Sequence, residues 1–179
     1  MIASNSVLSP ETAKLLREMV AEHATGKPVI EIGSWLGESA RIIIAAGASR
    51  CHCIDTWLGS PEMRTLPEMP HAFERFCTNI QGLPIEPIRY DSVSGLQLLS
   101  DRSMKIDGQI PVEPGLIYID GGHEYETAWA DCHVAMRLFP GVPLVLDDCG
   151  HEPVERGARE AATDFGRKLI VAGWPGYIL

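Results

Sequence analysis

Apolar residues recur along the chain in two alternating spacings. Short apolar runs bounded by glycine or polar residues are typical of buried strands, whereas apolar residues three or four positions apart indicate helices. Strands are predicted over 29–33, 50–55, 85–90, 116–120 and 142–146. Helices are predicted over 10–23, 39–46, 71–80, 93–99, 125–138 and 154–165. The segments 168–172 and 177–179 are predicted to form a terminal hairpin.

This alternation predicts an α/β fold: a Rossmann-like, doubly wound, mostly parallel sheet with helices on both faces and a C-terminal antiparallel hairpin. We expect one domain over 1–179, with an N-terminal helix in 1–26 and the core in 27–179. In such sheets, ligands bind beyond the carboxyl ends of the strands. The residues that follow each strand are therefore the candidates for a functional site.

The segment after the first predicted strand reads EIGSWLGES, residues 31–39. Gly33 permits a sharp turn, and Gly37 permits close approach of the backbone to a ligand. The segment is neither G-x-G-x-x-G, because Trp35 replaces the second glycine, nor a phosphate-binding P-loop. A nucleotide-type ligand and an ordinary strand-to-helix turn remain equally open from these residues alone.

Candidate nucleoside contacts follow the second and third predicted strands. Asp55 comes 24 residues after Glu31, near the spacing at which a carboxylate accepts hydrogen bonds from ribose hydroxyls. Trp57 lies in a polar loop, which favours a stacking platform for a flat base over a core aromatic residue. Asp91 either caps the next helix or meets the amine of a purine, and the sequence favours neither.

Acidic residues follow the fourth and fifth predicted strands. Asp120, Asp147 and Asp148 would repel one another at adjacent strand ends, and a divalent cation such as Mg²⁺ would relieve that repulsion. His123 has the pKa range of a general base, and we favour this function for it. For His151 the choice between a functional and a structural role stays open.

Composition narrows the class of protein. The 15 Lys and Arg against 24 Asp and Glu give a net charge of −9, which argues against a broad nucleic-acid interface. No apolar run reaches the length of a membrane span and the start lacks a signal-peptide pattern, so we expect a cytoplasmic protein. Five cysteines without a C-x-x-C pair indicate buried free thiols. A homo-oligomer is compatible with the sequence.

Together these motifs resemble the class I S-adenosylmethionine-dependent methyltransferases. The similar segments are E-x-G-x-x-x-G-x-S at 31–39, D-T-W at 55–57, I-D-G-x-H-x-Y at 119–125 and L-D-D at 146–148. The branch they most resemble contains the macrocin O-methyltransferases and the cephalosporin-hydroxylase-like proteins. The first segment is also similar to the turn of catechol and caffeoyl-CoA O-methyltransferases. The resemblance spans 29–165, most of the chain.

The resemblance implies a role for each motif. The first turn would hold the methionine part of S-adenosylmethionine, the acid after the second strand the ribose, and the pair after the third strand the adenine. The implied cofactor-binding residues are Glu31, Gly33, Ser34, Gly37, Ser39, Asp55, Thr56, Trp57, Asp91, Ser92 and Asp120. The implied ligands of Mg²⁺ or another divalent cation are Asp120, Asp147 and Asp148.

Two positions depart from the related patterns. His123 stands where catechol-type enzymes carry a catalytic lysine, and Gly122 stands where macrocin-type enzymes carry an aspartate base. The expected function is Mg²⁺-dependent O-methylation of a small or glycosylated hydroxylated molecule, with His123 as the base. Two alternatives remain: a non-catalytic module that binds S-adenosylmethionine or S-adenosylhomocysteine, and a metal-dependent hydrolase.

Overall fold

The computed structural model describes residues 8–59, 64, 69–101 and 112–179. Its helices are α1 Pro10–Met19, α2 Glu38–Ala45, α3 Ala72–Asn79, α4 Ser92–Ser100, α5 Tyr125–Leu138 and α6 Glu152–Asp164, with a π-helical turn Val20–Ala24 and a 3₁₀ turn Met69–His71. Its strands are β1 Pro28–Ile32, β2 Arg50–Ile54, β3 Ile85–Ile88, β4 Leu116–Ile119, β5 Leu144–Leu146, β6 Leu169–Val171 and β7 Gly176–Ile178. Each predicted helix and strand is confirmed, with bounds that differ by a few residues.

The described strands form one seven-stranded sheet in the order β3-β2-β1-β4-β5-β7-β6. Strands β1 to β5 pair in parallel, whereas β7 runs antiparallel between β5 and β6. The predicted Rossmann-like fold with its terminal hairpin is therefore confirmed. The direction of winding reverses between β1 and β4, which is where ligands bind in sheets of this kind.

Two apolar layers cover the sheet. Helices α4, α5 and α6 pack on one face, and α1, α2 and α3 pack on the other. Strand β1 shows why both faces are covered: Ile30 and Ile32 enter the first layer while Val29 enters the second. Because alternate side chains of a strand point to opposite faces, the nearly continuous apolar run of β1 is the pattern of a strand buried on both sides.

The N-terminal helix α1 is capped at its start. Ser9 caps α1 by accepting a hydrogen bond from the Thr12 amide at 3.0 Å, and Pro10 occupies the first turn, as is favoured at helix starts.

No described helix is long and apolar enough to cross a bilayer. All five cysteines are free and four are buried, which confirms the prediction made for them.

Candidate active site

The turn after β1 lies directly against the end of β4. Gly33 has φ +82°, and a Cβ placed on it would stand 1.8 Å from the carbonyl oxygen of Asp120. No other residue type fits this approach, because any side chain would overlap the backbone of the neighbouring strand end. The sequence assigned these two residues to separate motifs, and the fold brings them into contact.

Buried polar atoms without partners lie at the same turn. Glu31 is fully buried and Ser34 nearly so, and Glu31 Oε1 and Ser34 Oγ have no hydrogen-bond partner among the described residues. The Cys53 thiol donates to the other Glu31 oxygen at 3.1 Å. Burial raises the pKa of Glu31, and the nearby side chains of Ser34, Ser39 and Cys53 offset part of this rise. Because unpaired buried polar atoms are costly, these two atoms indicate a site for a polar ligand group.

Asp55 connects the segments after β1 and β2 through hydrogen bonds to their backbone amides. Its Oδ2 accepts hydrogen bonds from the amides of Ser34 at 3.0 Å and Trp35 at 2.9 Å, and its Oδ1 accepts one from the Trp57 amide at 2.6 Å. A carboxylate offers about four acceptor positions, so one remains for a ribose hydroxyl in this arrangement. The prediction that Asp55 grips two hydroxyls would require one amide to be released.

The prediction that favoured a stacking platform over a core aromatic residue for Trp57 is wrong, and a contact of this residue with the cofactor stays a prediction. The side chain is only 5% exposed, and its ring packs edge-on against Phe73 with centroids 4.9 Å apart and against Phe76 at 4.8 Å. Its indole N–H donates to the Trp35 carbonyl at 2.8 Å. These aromatic partners belong to α3, and a core position satisfies both the ring and its N–H. The neighbouring Thr56 is exposed.

The residues after β3 lie at the start of α4. Asp91 caps this helix by accepting from the Ser94 amide at 2.9 Å, which lowers the pKa of Asp91. Ser92 Oγ donates to Oδ1 of Asp131 on α5. Asp131 is 2% exposed, and its burial raises its pKa to about 6. The capping role of Asp91 is thus present, and a contact of Asp91 or Ser92 with adenine stays a prediction.

Asp120, His123 and Asp148 form a compact group at the ends of β4 and β5. One possible ligand atom from each lies within 4.8 Å of the other two. His123 Nε2 is 2.9 Å from Asp148 Oδ2, and this hydrogen bond raises the pKa of His123 and lowers that of Asp148. Burial and the neighbouring carboxylates raise the pKa of Asp120 well above its usual range. The group could hold a divalent cation.

Asp147 lies outside that group of three. Its Oδ1 accepts from the Thr12 hydroxyl at 2.7 Å and from the Asp148 amide at 3.0 Å. The Tyr118 hydroxyl lies 3.2 Å from Asp120 Oδ2 and 3.4 Å from Asp147 Oδ2. Asp147 therefore connects α1 to the strand ends, and the structure gives it structural partners where the sequence predicted a metal ligand.

Strained backbone is concentrated at these strand ends. Among the described residues, the non-glycine residues with positive φ are Trp35 at 43°, Trp57 at 52° and Asp148 at 54°. They follow β1, β2 and β5 respectively. Such conformations cost free energy, and proteins retain them mainly at functional sites. This observation supports a site at the carboxyl edge independently of any motif.

Sequence reasoning missed four residues that shape this region. The position of Tyr118 could have been recognised from the sequence, because Tyr118 precedes Asp120 by two positions and so lies on the same face of the strand. Asp131 carried a weaker signal, as an acid on the apolar face of a predicted helix. Thr12 and Trp174 carried none, since each reaches an acid more than 20 residues away: Thr12 meets Asp147, and the Trp174 indole N–H donates to Asp148 Oδ1 at 2.8 Å.

A family model described as a methyltransferase domain matches residues 30–149. This range runs from β1 to the residue after Asp148 and so contains the β1 turn and the acidic group. No curated protein matches the sequence at a significant level.

Solved structures similar to this chain share the fold across most of their length. An O-methyltransferase from Bacillus cereus, in complex with SAH, is 20% identical, with a TM-score of 0.62 and coverage of 96% of this chain and 80% of that one. The O-methyltransferase TomG from Streptomyces achromogenes is 17% identical, with a TM-score of 0.59 and coverage of 96% and 79%. A precorrin 8W decarboxylase from Methanobacterium thermoautotrophicum is 15% identical, with a TM-score of 0.63 and coverage of 96% and 89%. By its family match and its fold, this chain belongs to the class I S-adenosylmethionine-dependent methyltransferases.

Proposed function

We propose that this methyltransferase transfers a methyl group to a hydroxyl oxygen of a small molecule, with the help of a divalent cation. The observation that carries the proposal is the contact between Gly33 of the β1 turn and the Asp120 carbonyl. It makes the expected cofactor turn a direct neighbour of the group formed by Asp120, His123 and Asp148. Methyl transfer needs such proximity between donor and acceptor. Similar solved structures include O-methyltransferases.

The β1 turn fits the polar end of the cofactor. S-adenosylmethionine, when bound, supplies a methyl group on a positively charged sulfur. Glu31 Oε1 and Ser34 Oγ are buried acceptors without partners, so they suit the ammonium group of the methionine part. Asp55 retains an acceptor position beside them for a ribose hydroxyl. Ser34 and Asp55 are joined by a hydrogen bond between the ends of β1 and β2, which supports placing the methionine part and the ribose side by side.

Asp120 and Asp148 are proposed to hold the cation through their carboxylate oxygens. Desolvation and the charges of Asp147, Asp148 and Glu31 raise the pKa of Asp120, and a bound cation would offset that repulsion. When bound, the cation lowers the pKa of a hydroxyl group beside it and so eases loss of its proton. Oxygen ligands suit Mg²⁺, and a nearby imidazole widens the choice to Mn²⁺.

His123 is proposed to receive the acceptor proton at Nδ1, the ring nitrogen that does not bond to Asp148. Nε2 donates to Asp148 Oδ2 at 2.9 Å, and the side chain is 60% exposed, so the carboxylate orients the ring and an acceptor can still reach it. Asp148 would hold the imidazole in one orientation, as a carboxylate partner does for a catalytic histidine. The family assignment favours this interpretation over a hydrolase, which would leave the β1 turn and Asp55 without a role.

Transfer of a labelled methyl group from S-adenosylmethionine to catechol tests these roles. We expect transfer with Mg²⁺ or Mn²⁺, and its loss in EDTA. His123→Ala should lose about 10²- to 10⁴-fold in turnover, the contribution of a positioned base, while calorimetric binding of S-adenosylhomocysteine stays unchanged. His133→Ala is the matched control, because His133 stacks on Trp129 with centroids 4.4 Å apart and belongs to no part of the proposed site.

Each part of the proposal has its own contrary result. Undiminished transfer in EDTA would show that no cation is needed. Full turnover of His123→Ala would remove this residue as the base. Failure of the unaltered protein to bind S-adenosylhomocysteine would contradict the whole proposal.

A further inference from the structure

An exposed tryptophan projects from the terminal hairpin onto the acidic group. Trp174 lies between β6 and β7, and the residue is 46% exposed. Its indole N–H donates to Asp148 Oδ1 at 2.8 Å. Its carbonyl accepts from the Gly150 amide at 2.9 Å. A ring that is both exposed and attached to a site residue needs a physical explanation beyond core packing.

The Trp174 ring packs directly against Gly150. A Cβ on Gly150 would stand 2.5 Å from Cε3 and 2.9 Å from Cζ3 of Trp174. The indole therefore lies on the glycine backbone, and part of its surface is covered there. The hairpin tip is closed by a hydrogen bond from the Ala172 amide to the Pro175 carbonyl at 2.9 Å. These contacts fix the indole before any ligand arrives, which lowers the entropy cost of binding.

The two oxygens of Asp148 face different rings. Oδ1 accepts from Trp174, while Oδ2 is 2.9 Å from His123 Nε2. The His151 ring lies edge-on to His123 with centroids 6.3 Å apart. Two rings thus bond to the Asp148 carboxylate, and a third ring lies beside His123. Rigid tryptophans beside a few polar groups are typical of recognition sites for small molecules.

We propose that Trp174 is a specificity-determining residue that selects acceptors carrying the hydroxyl on a flat, uncharged ring. This inference rests on the proposed function, because it assumes that the acceptor hydroxyl approaches Asp120, His123 and Asp148. A flat ring can stack on the exposed indole surface while its hydroxyl reaches the acidic group, and stacking between aromatic rings adds to the apolar area that is buried. The acidic surroundings disfavour an anionic acceptor.

A matched pair of ligands isolates the stacking contribution. Catechol and cis-1,2-cyclohexanediol carry adjacent hydroxyls, but only catechol is flat. Because the more acidic hydroxyls of catechol bind a metal ion more tightly, we would titrate each ligand in EDTA into the protein saturated with S-adenosylhomocysteine and compare the two dissociation constants by calorimetry. The expected preference of the unaltered protein for catechol is at least about tenfold, the magnitude of one good stacking contact with its buried area.

Three variants and one control test whether the Trp174 ring causes the preference for catechol. Trp174→Ala should reduce it to less than about threefold, and Gly150→Ala should do the same by displacing the ring without removing it. Trp174→Phe keeps a flat ring and should retain most of the preference, although it loses the N–H bond to Asp148. Trp129→Phe, whose ring stacks on His133, should leave it unchanged. Binding of S-adenosylhomocysteine verifies that each variant is folded.

The results separate this inference from the proposed function. A preference that survives in both Trp174→Ala and Gly150→Ala overturns the inference and leaves the proposed function intact. The same holds if the unaltered protein binds S-adenosylhomocysteine but shows no preference for catechol. If the unaltered protein does not bind S-adenosylhomocysteine, the proposed function fails, and this inference fails with it.

Discussion

Asp131 should make the stability of this protein depend on pH in a way that one substitution removes. Asp131 is 2% exposed, and Ser92 donates a hydrogen bond to its Oδ1. A Cβ on Gly121 would stand 2.9 Å from Oδ2, so backbone rather than water lies beside this oxygen. Burial raises the pKa of Asp131 from 3.8 to about 6.

The sign of the effect follows from proton binding. Between about pH 4 and 6 the native state holds a proton on Asp131 that the unfolded chain has released. Stability therefore falls as the pH rises through this window, and it is unaffected by this group above it. The difference in pKa corresponds to about 3 kcal/mol in the free energy of unfolding. Asp131→Asn cannot ionise, so it should escape this loss.

The assay is urea denaturation, followed by circular dichroism, of the unaltered protein and Asp131→Asn from pH 4 to 7. The unfolding free energy of the variant minus that of the unaltered protein should rise by about 3 kcal/mol between pH 4 and 7. Other buried acids affect both proteins alike and cancel in this difference. Ser92→Ala removes a hydrogen bond that lowers the pKa of Asp131, so it should extend the decline in stability to higher pH.

A difference that stays constant from pH 4 to 7 would refute this reasoning. It would mean that Asp131 reaches water in the native state, and that the contact with Ser92 does not hold the carboxyl group inside the protein.

Two further predictions concern the contacts that hold the site together. Thr12→Val removes the 2.7 Å hydrogen bond to Asp147 and should cost about 1–3 kcal/mol in urea denaturation, whereas Thr78→Val, at an exposed helix position, should cost less than about 1 kcal/mol. Gly33→Ala places a Cβ 1.8 Å from a carbonyl oxygen and should prevent stable folding, as read by its melting temperature. Gly82→Ala, also at positive φ but with nothing within 4 Å, should cost only about 1–2 kcal/mol, and equal losses for the two glycine variants would contradict the close approach.

The order of elements could be predicted because it depends on local pattern. Ile30 and Ile32 alternate with Val29 and Glu31 in a run that only a strand buried on both faces explains. The carboxyl-edge site followed from the same reasoning, since parallel strand ends meet at one edge. Local pattern and strand direction thus determine which loops converge.

Side-chain direction within those loops could not be predicted. Asp147 and Asp148 are neighbours in sequence, yet Asp147 bonds to Thr12 and Asp148 lies against His123. The polar loop around Trp57 favours a stacking platform, but its aromatic partners lie on α3, many residues later in the chain, and bury its ring. Such contacts arise from the packing of distant elements, and they leave no periodic trace in the sequence.

The most direct test of the central claim is a crystal structure with S-adenosylhomocysteine and Mn²⁺, measured at the manganese absorption edge. The account predicts an anomalous peak between the carboxylates of Asp120 and Asp148, with the nucleoside extending along the β1 turn towards Asp55. A peak elsewhere, or cofactor density away from the Gly33 turn, would contradict it.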